Sequence, residues 1–145
     1  MKRTVGVTLL ILLCTMFLFG GCSLNGDSNL DGTGEEDAME SGKGYLEISQ
    51  EAAKEMMDSQ EVVILDVREQ DEFDSGHIVD AVLLPVGSIS EATAAEVIPE
   101  KDSVVLVYCR SGNRSKTASA KLVELGYTNV YEFGGIKTWP YEIEE

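Results

Sequence analysis

Two continuous apolar runs, Val62-Val63-Ile64-Leu65 and Val104-Val105-Leu106-Val107-Tyr108, set the tightest limit on what this chain can become. Each is short and shows no alternation of polar with apolar residues, which is the pattern of a strand covered on both faces. Such a strand needs helices above and below it, and the intervening stretches supply them. Ser49 caps a helical pattern that runs to about Asp58, with Ala52, Ala53, Met56 and Met57 on one side. A helical turn is expected over residues 69–73 and a polar-capped helix over 88–97. After the second run, Ala118, Leu122 and Leu125 recur at helical spacing, and Gly126 follows as a stop. Residues 45–48, 82–84 and 129–133 read as further short strands, and 135–139 as a final helical turn. Strands separated by helices of this length pair in parallel through crossover connections. The expected fold class is α/β, a small parallel sheet sandwiched by helices.

The N-terminal end carries a different signal. Lys2 and Arg3 are followed by Thr4 to Gly21 without a charge, and Leu9-Leu10-Ile11-Leu12-Leu13 with Met16-Phe17-Leu18-Phe19 form the apolar core of a secretory signal. Phe19-Gly20-Gly21-Cys22 resembles the lipobox of bacterial lipoproteins, with phenylalanine where leucine is usual; in that pattern the cysteine is acylated and becomes the new N-terminus. The alternative is an uncleaved anchor, for which the run is just long enough. In both cases Lys2 and Arg3 stay inside and the domain is carried out. Two or three acyl chains, at about 0.8 kcal/mol per buried methylene, hold a protein firmly where one does not. The chain from Ser23 to Gly44 is rich in Gly, Ser, Asn and acids, the composition of a flexible tether. The expected organisation is a signal over 1–21, an acidic tether over 22–44 and one domain over 45–145, held outside the cytoplasm on a membrane through lipidated Cys22. A formal net charge of −15 repels nucleic acid and anionic head groups, so no nucleic-acid partner is expected.

Three cysteines have three different contexts. Cys14 leaves with the signal, Cys22 is consumed by acylation, and Cys109 remains as the only free thiol. An unpaired thiol outside the cytoplasm is exposed to oxidation, which points to a catalytic role over an inert one. In open α/β sheets, ligands gather beyond the carboxyl ends of the strands. Asp66-Val67-Arg68 and Cys109 stand at two such ends, on one edge if both strands are parallel. The stretch Cys109-Arg110-Ser111-Gly112-Asn113-Arg114-Ser115 is short and contains Gly112, so its backbone can curl and aim successive N–H groups at one point. It then feeds a helix beginning near Ser115. Those amides, the helix N-terminus, Arg110 and Arg114 all favour a thiolate over a thiol of ordinary pKa about 8.5. No Asp or Glu occurs from Ser103 through Val123, whereas Arg110, Arg114, Lys116 and Lys121 do. A single histidine and a single free cysteine offer no metal-ligand cluster, and no cofactor is expected.

With these residues in view, 62–139 resembles a rhodanese homology domain. Asp66-Val67-Arg68, Glu72-Phe73, Gly76-His77-Ile78 with Ala81, the Cys109 to Ser115 loop, Leu125-Gly126-Tyr127, and Gly134-Gly135-Ile136 with Trp139 match its elements in order. The resemblance implies a mainly parallel five-stranded sheet flanked by helices and a ping-pong sulfurtransferase. A small anionic donor such as thiosulfate delivers sulfane sulfur to the cysteine, and a thiophilic acceptor removes it. On that basis Cys109 is the sulfur carrier. Amides of Arg110, Ser111, Gly112, Asn113, Arg114 and Ser115 surround the persulfide, and the Arg110 and Arg114 side chains are candidates to hold the donor. Asp66 and Arg68 are candidates to orient the loop, with a purely structural ion pair as the other reading. His77 reads as a structural residue, and Trp139 as core or lid packing.

Two other readings compete. Phosphatases and arsenate reductases also place a cysteine in an anion-cradling loop, but with five residues before the arginine; here four separate Cys109 from Arg114. A shorter loop fits a sulfur atom better than a tetrahedral oxyanion. A non-catalytic relay or sensing module of the same fold is the second, and retention of the cysteine argues against it.

Overall fold

In the computed structural model, residues 44–145 are described; the signal, Cys22 and the tether up to residue 43 lie outside the described residues. The order is β1 (Leu46–Glu47), α1 (Gln50–Ser59), β2 (Val63–Asp66), α2 (Gln70–Asp74), β3 (His77–Ile78), β4 (Val82–Leu83), α3 (Glu91–Val97), β5 (Val104–Cys109), α4 (Asn113–Glu124), β6 (Asn129–Gly135) and β7 (Ile143–Glu144), with 3-10 turns at Val86–Ser88 and Ile136–Thr138. Five strands form one sheet in the order β1-β6-β5-β2-β4. Every pairing in it is parallel, as the intervening helices require.

The two apolar runs are β2 and β5, side by side in the middle of the sheet. Along β5 the side chains alternate between two cores. Val105, Val107 and Cys109 join Leu65, Val67, Ala118 and Leu122 on the α4 side. Leu106 and Tyr108 join Ala53, Ile64, Phe133 and Trp139 on the α1 side. The strand period thus turns Cys109 toward α4 and its neighbour Tyr108 away from it.

Local chemistry sets most element ends. Ser49 Oγ accepts the Ala52 N–H at 3.1 Å and opens α1. Gly126, at φ +91°, closes α4 with Tyr127 N–H bonded back to Leu122 O at 3.1 Å, the pairing of a Schellman motif. The expected helix over 88–97 is shorter. Its cap is Ser90, whose Oγ accepts the Thr93 N–H at 3.2 Å while Thr93 Oγ1 accepts the Ser90 N–H at 2.9 Å. Ser88 belongs to the preceding 3-10 turn. Likewise α4 begins at Asn113, two residues ahead of Ser115, because Gly112 at φ +100° completes the turn out of β5 early. The sequence patterns did not indicate the antiparallel pair of β3 with β7, which ties His77–Ile78 to the C-terminal end. No helix among the described residues is long and apolar enough to cross a membrane.

Candidate active site

The loop after β5 wraps around one sulfur atom. Cys109 is 1% exposed, and its Sγ accepts the Gly112 N–H at 3.1 Å. Burial pushes the thiol pKa up, but hydrogen bonds from Ser115 and from the main-chain N–H groups of Ser111, Ser115 and Gly112 outweigh it and hold the thiol below its ordinary value. A cradle of amides that fixes negative charge on a buried sulfur is what a nucleophilic thiolate requires. The pairing of β5 with β6 shifts register between Val107 and Cys109, which sets Cys109 against Gly135. Only glycine fits there: a Cβ would run into the Arg110 carbonyl and stand 2.5 Å from Ser111 N.

A carboxylate lies beneath the cradle. Glu132 on β6 is 3% exposed, and its Oε1 accepts the Ser115 hydroxyl at 2.6 Å and the Gly134 N–H at 2.9 Å. Sequence reasoning did not single it out. The available signal was a lone acid inside the otherwise apolar run Val130-Tyr131-Glu132-Phe133, beside Gly134-Gly135.

Asp66 and Arg68 pair with each other and with Tyr108. Asp66 is fully buried and Arg68 is 4% exposed. Arg68 Nε donates to both Asp66 oxygens at 2.9 Å, and one terminal nitrogen of Arg68 donates to Oδ2 at 2.6 Å. The Tyr108 hydroxyl donates to Oδ2 at 2.6 Å, and Arg68 also donates to Gly76 O at 2.7 Å. Burial, then the bond to Asp66 and its charge, push the Tyr108 phenol above its ordinary pKa. The bonds of this pair run to Gly76 O, just ahead of β3, and to Tyr108, the residue before Cys109. They lie on the face of the sheet opposite the sulfur.

The arginines of the loop differ. Arg110 is exposed, as are Ser111 and Asn113, whereas Gly112 and Ser115 are buried. Arg114 is bidentate on Glu72 of α2, at 2.5 and 2.8 Å, so Glu72 occupies the fork that an anionic donor would need. This bond to Arg114 is the main cause holding the Glu72 carboxyl down at about 2, from an ordinary 4.5, against burial. A carboxyl depressed on folding adds stability above its unfolded pKa and loses it as pH falls through the folded one. The contribution should therefore be complete above pH 4.5 and disappear between 4.5 and about 2. With a quarter of Glu72 and a third of Arg114 in solvent, screening limits it to about 1 kcal/mol. Urea midpoints measured across that window should fall less in Glu72→Gln than in the parent; parallel curves would refute the pairing's role.

His77 stacks on Phe73 with ring centroids 3.8 Å apart. Its Nδ1 lies 3.1 Å from Phe73 O and its Nε2 3.4 Å from Glu144. Trp139 is packed in the α1-side core. A cleft of about 660 Å³ opens near Met57, Val62, Ile64, Ile78, Trp139 and Tyr141, and none of the residues from Cys109 to Ser115 lines it.

Residues 49–141 match the rhodanese-like domain family. The chain is 36% identical over 96 residues to the thiosulfate sulfurtransferase GlpE of Coxiella burnetii, covering 66% of this chain and 87% of that protein. It is 37% identical over 73 residues to the thiosulfate sulfurtransferase PspE of Escherichia coli, covering 50% of this chain and 69% of that one. Among solved structures it resembles a rhodanese with anions from E. coli, with TM-score 0.55 and 29% identity over 59% of this chain and 99% of that one. It also resembles a rhodanese-related protein from Thermoplasma volcanium, with TM-score 0.56 and 31% identity over 68% of this chain and 96% of that one.

Proposed function

Because the chain belongs to the rhodanese-like domain family, we propose that it is a sulfurtransferase that takes sulfane sulfur from thiosulfate and carries it as a persulfide on Cys109. The observation that supports this most directly is the buried Cys109 Sγ, held by the Gly112 amide inside a loop whose hydrogen bonds keep the thiol acidic. The thiolate attacks the outer sulfur of thiosulfate, the S–S bond breaks, and sulfite leaves with the electron pair. A thiophilic acceptor, cyanide in the laboratory, then takes the terminal sulfur and returns the thiolate. Exposed Arg110, rather than Arg114 paired to Glu72, meets the anionic donor. Asp66 and Arg68 serve as a structural ion pair that anchors Tyr108 on the face of the sheet away from the sulfur. The similarity to thiosulfate sulfurtransferases of C. burnetii and E. coli agrees with this donor class.

The test is intact mass after incubation with thiosulfate. A gain of one sulfur that cyanide removes is expected; no gain, together with hydrolysis of an aryl phosphate, would move the assignment to a phosphatase.

The location belongs to the same proposal: residues 1–21 direct export, Cys22 is acylated, residues 22–44 tether, and residues 45–145 work outside the cytoplasm at a membrane surface. Cys22→Ala is expected to leave the precursor unprocessed, or to release the protein from the membrane fraction. Unchanged processing and sedimentation would rule out lipidation.

A further inference from the structure

Glu132 is a buried charge that the sulfur-transfer chemistry above does not use, and its place is unfavourable for a thiolate. A second anion near a thiolate opposes ionisation, yet Glu132 Oε1 and Cys109 Sγ share one neighbour, the Ser115 hydroxyl, at 2.6 and 3.6 Å. A hydroxyl has one hydrogen. Among the acceptors around it, Glu132 Oε1 at 2.6 Å is nearer than Gly112 O at 2.9 Å, Gly134 O at 3.4 Å and Cys109 Sγ at 3.6 Å, and 2.6 Å is the length of a charge-assisted bond, so the hydrogen turns mainly to Glu132, reaches the sulfur weakly, and leaves it chiefly to the amides. The Gly134 amide, which can only donate, fixes Glu132 Oε1 as an acceptor from the other side. Other charges face this pair from several elements. Glu47 on β1 lies across from Glu132 in the sheet and binds Lys116 of α4 at 2.7 Å. Arg114 of α4 is held by Glu72, and Arg110 stands exposed on the loop. On β5 the partner of Glu132 is apolar Val107.

Resting on the sulfurtransferase reading, we propose that Glu132 is a positioning residue for sulfur transfer: it retains the Ser115 hydrogen, sets a negative charge behind the cradle, and thereby keeps the Cys109 thiolate nucleophilic. The physical reason is a trade-off. Amides alone would make the thiol very acidic, fully ionised but sluggish, because thiolate reactivity falls as thiol pKa falls, with a Brønsted slope of about 0.4–0.5. A fixed opposing charge returns the thiol toward ambient pH, where attack on sulfur is fastest.

The experiment measures the rate of Cys109 modification by methyl methanethiosulfonate, a small neutral reagent whose sulfur the thiolate attacks as sulfinate leaves, across pH in the full chain. In Glu132→Gln, which keeps the shape and an acceptor but not the charge, the midpoint should move to lower pH. The plateau rate should drop about threefold for each pH unit moved. Glu132→Asp, which keeps the charge, should stay near the parent midpoint. A midpoint in Glu132→Gln that is unchanged or higher, or an equal shift in Glu132→Asp, overturns the proposal. Should Glu132→Gln not fold, Ser115→Ala decides: with its hydrogen turned to Glu132 the hydroxyl shows the sulfur its lone pairs, so its loss should leave the midpoint unchanged or lower it; a rise, as loss of a hydroxyl donating to the sulfur would give, overturns the proposal. Failure of the parent to gain sulfur from thiosulfate would count against the sulfurtransferase reading alone, since these midpoints need no sulfur donor.

Discussion

Cys109→Ser is expected to abolish thiocyanate formation from thiosulfate and cyanide, by a factor of about a thousand or more, which is about 4 kcal/mol of transition-state stabilisation. The fold should survive, because a serine oxygen can accept the Gly112 amide that Sγ accepts at 3.1 Å. A change in stability within about 1 kcal/mol is anticipated for so small a replacement. What is lost is chemical. A hydroxyl in this cradle remains protonated at any ordinary pH, and oxygen cannot substitute for polarisable sulfur as a carrier of sulfane sulfur. Steady-state thiocyanate assays alongside thermal melting separate the two effects. Residual turnover above a few per cent of the parent, in a protein melting normally, would remove Cys109 from the mechanism.

Asp66→Ala should be the most damaging single change to stability. It deletes the acceptor of five hydrogen bonds, from the Arg68 main chain, the Arg68 guanidinium and the Tyr108 hydroxyl. The Arg68 charge would remain, 4% exposed, with the Gly76 carbonyl as its remaining acceptor. Breaking a buried pair from one side costs about 3–5 kcal/mol, which for a domain of this size lowers Tm by at least about 12 °C. The double variant Asp66→Leu with Arg68→Met provides the control, because removing both charges spares the unpaired ion. It should melt well above Asp66→Ala; equal melting of the two would show that packing around Asp66, and not the stranded charge, sets the loss. Thiocyanate formation should fall with the folded fraction and no further, since the pair and the sulfur lie on opposite faces of the sheet.

How much of this was readable beforehand depends on how local the cause is. The buried strands Val63–Asp66 and Val104–Cys109, the Ser49 cap, the Gly126 stop and the amide-bearing turn at Gly112 each depend on neighbours within a few residues. Composition and periodicity are enough to reveal such features. The start of α3 is not legible in this way: Ser88 and Ser90 both look like caps, and only the reciprocal bonds between Ser90 and Thr93 decide between them. The acid-free stretch around Cys109 suggested a purely basic site. In the folded chain Glu72 approaches it from α2 and Glu132 from β6, one binding Arg114 and the other Ser115.

By itself, then, the sequence determined the parallel α/β architecture and the placing of Cys109 where a strand gives way to a helix. Tertiary structure alone decided the electrostatics of that cysteine: which arginine stays in solvent, which is neutralised, and which carboxylate lies behind the sulfur. The last follows from strand register, which sets Glu132 against Val107 and, across the β5–β6 shift, Cys109 against Gly135; the arginines are decided by α2, which brings Glu72 to Arg114. Register is settled by packing between segments far apart in the chain, which no local pattern encodes.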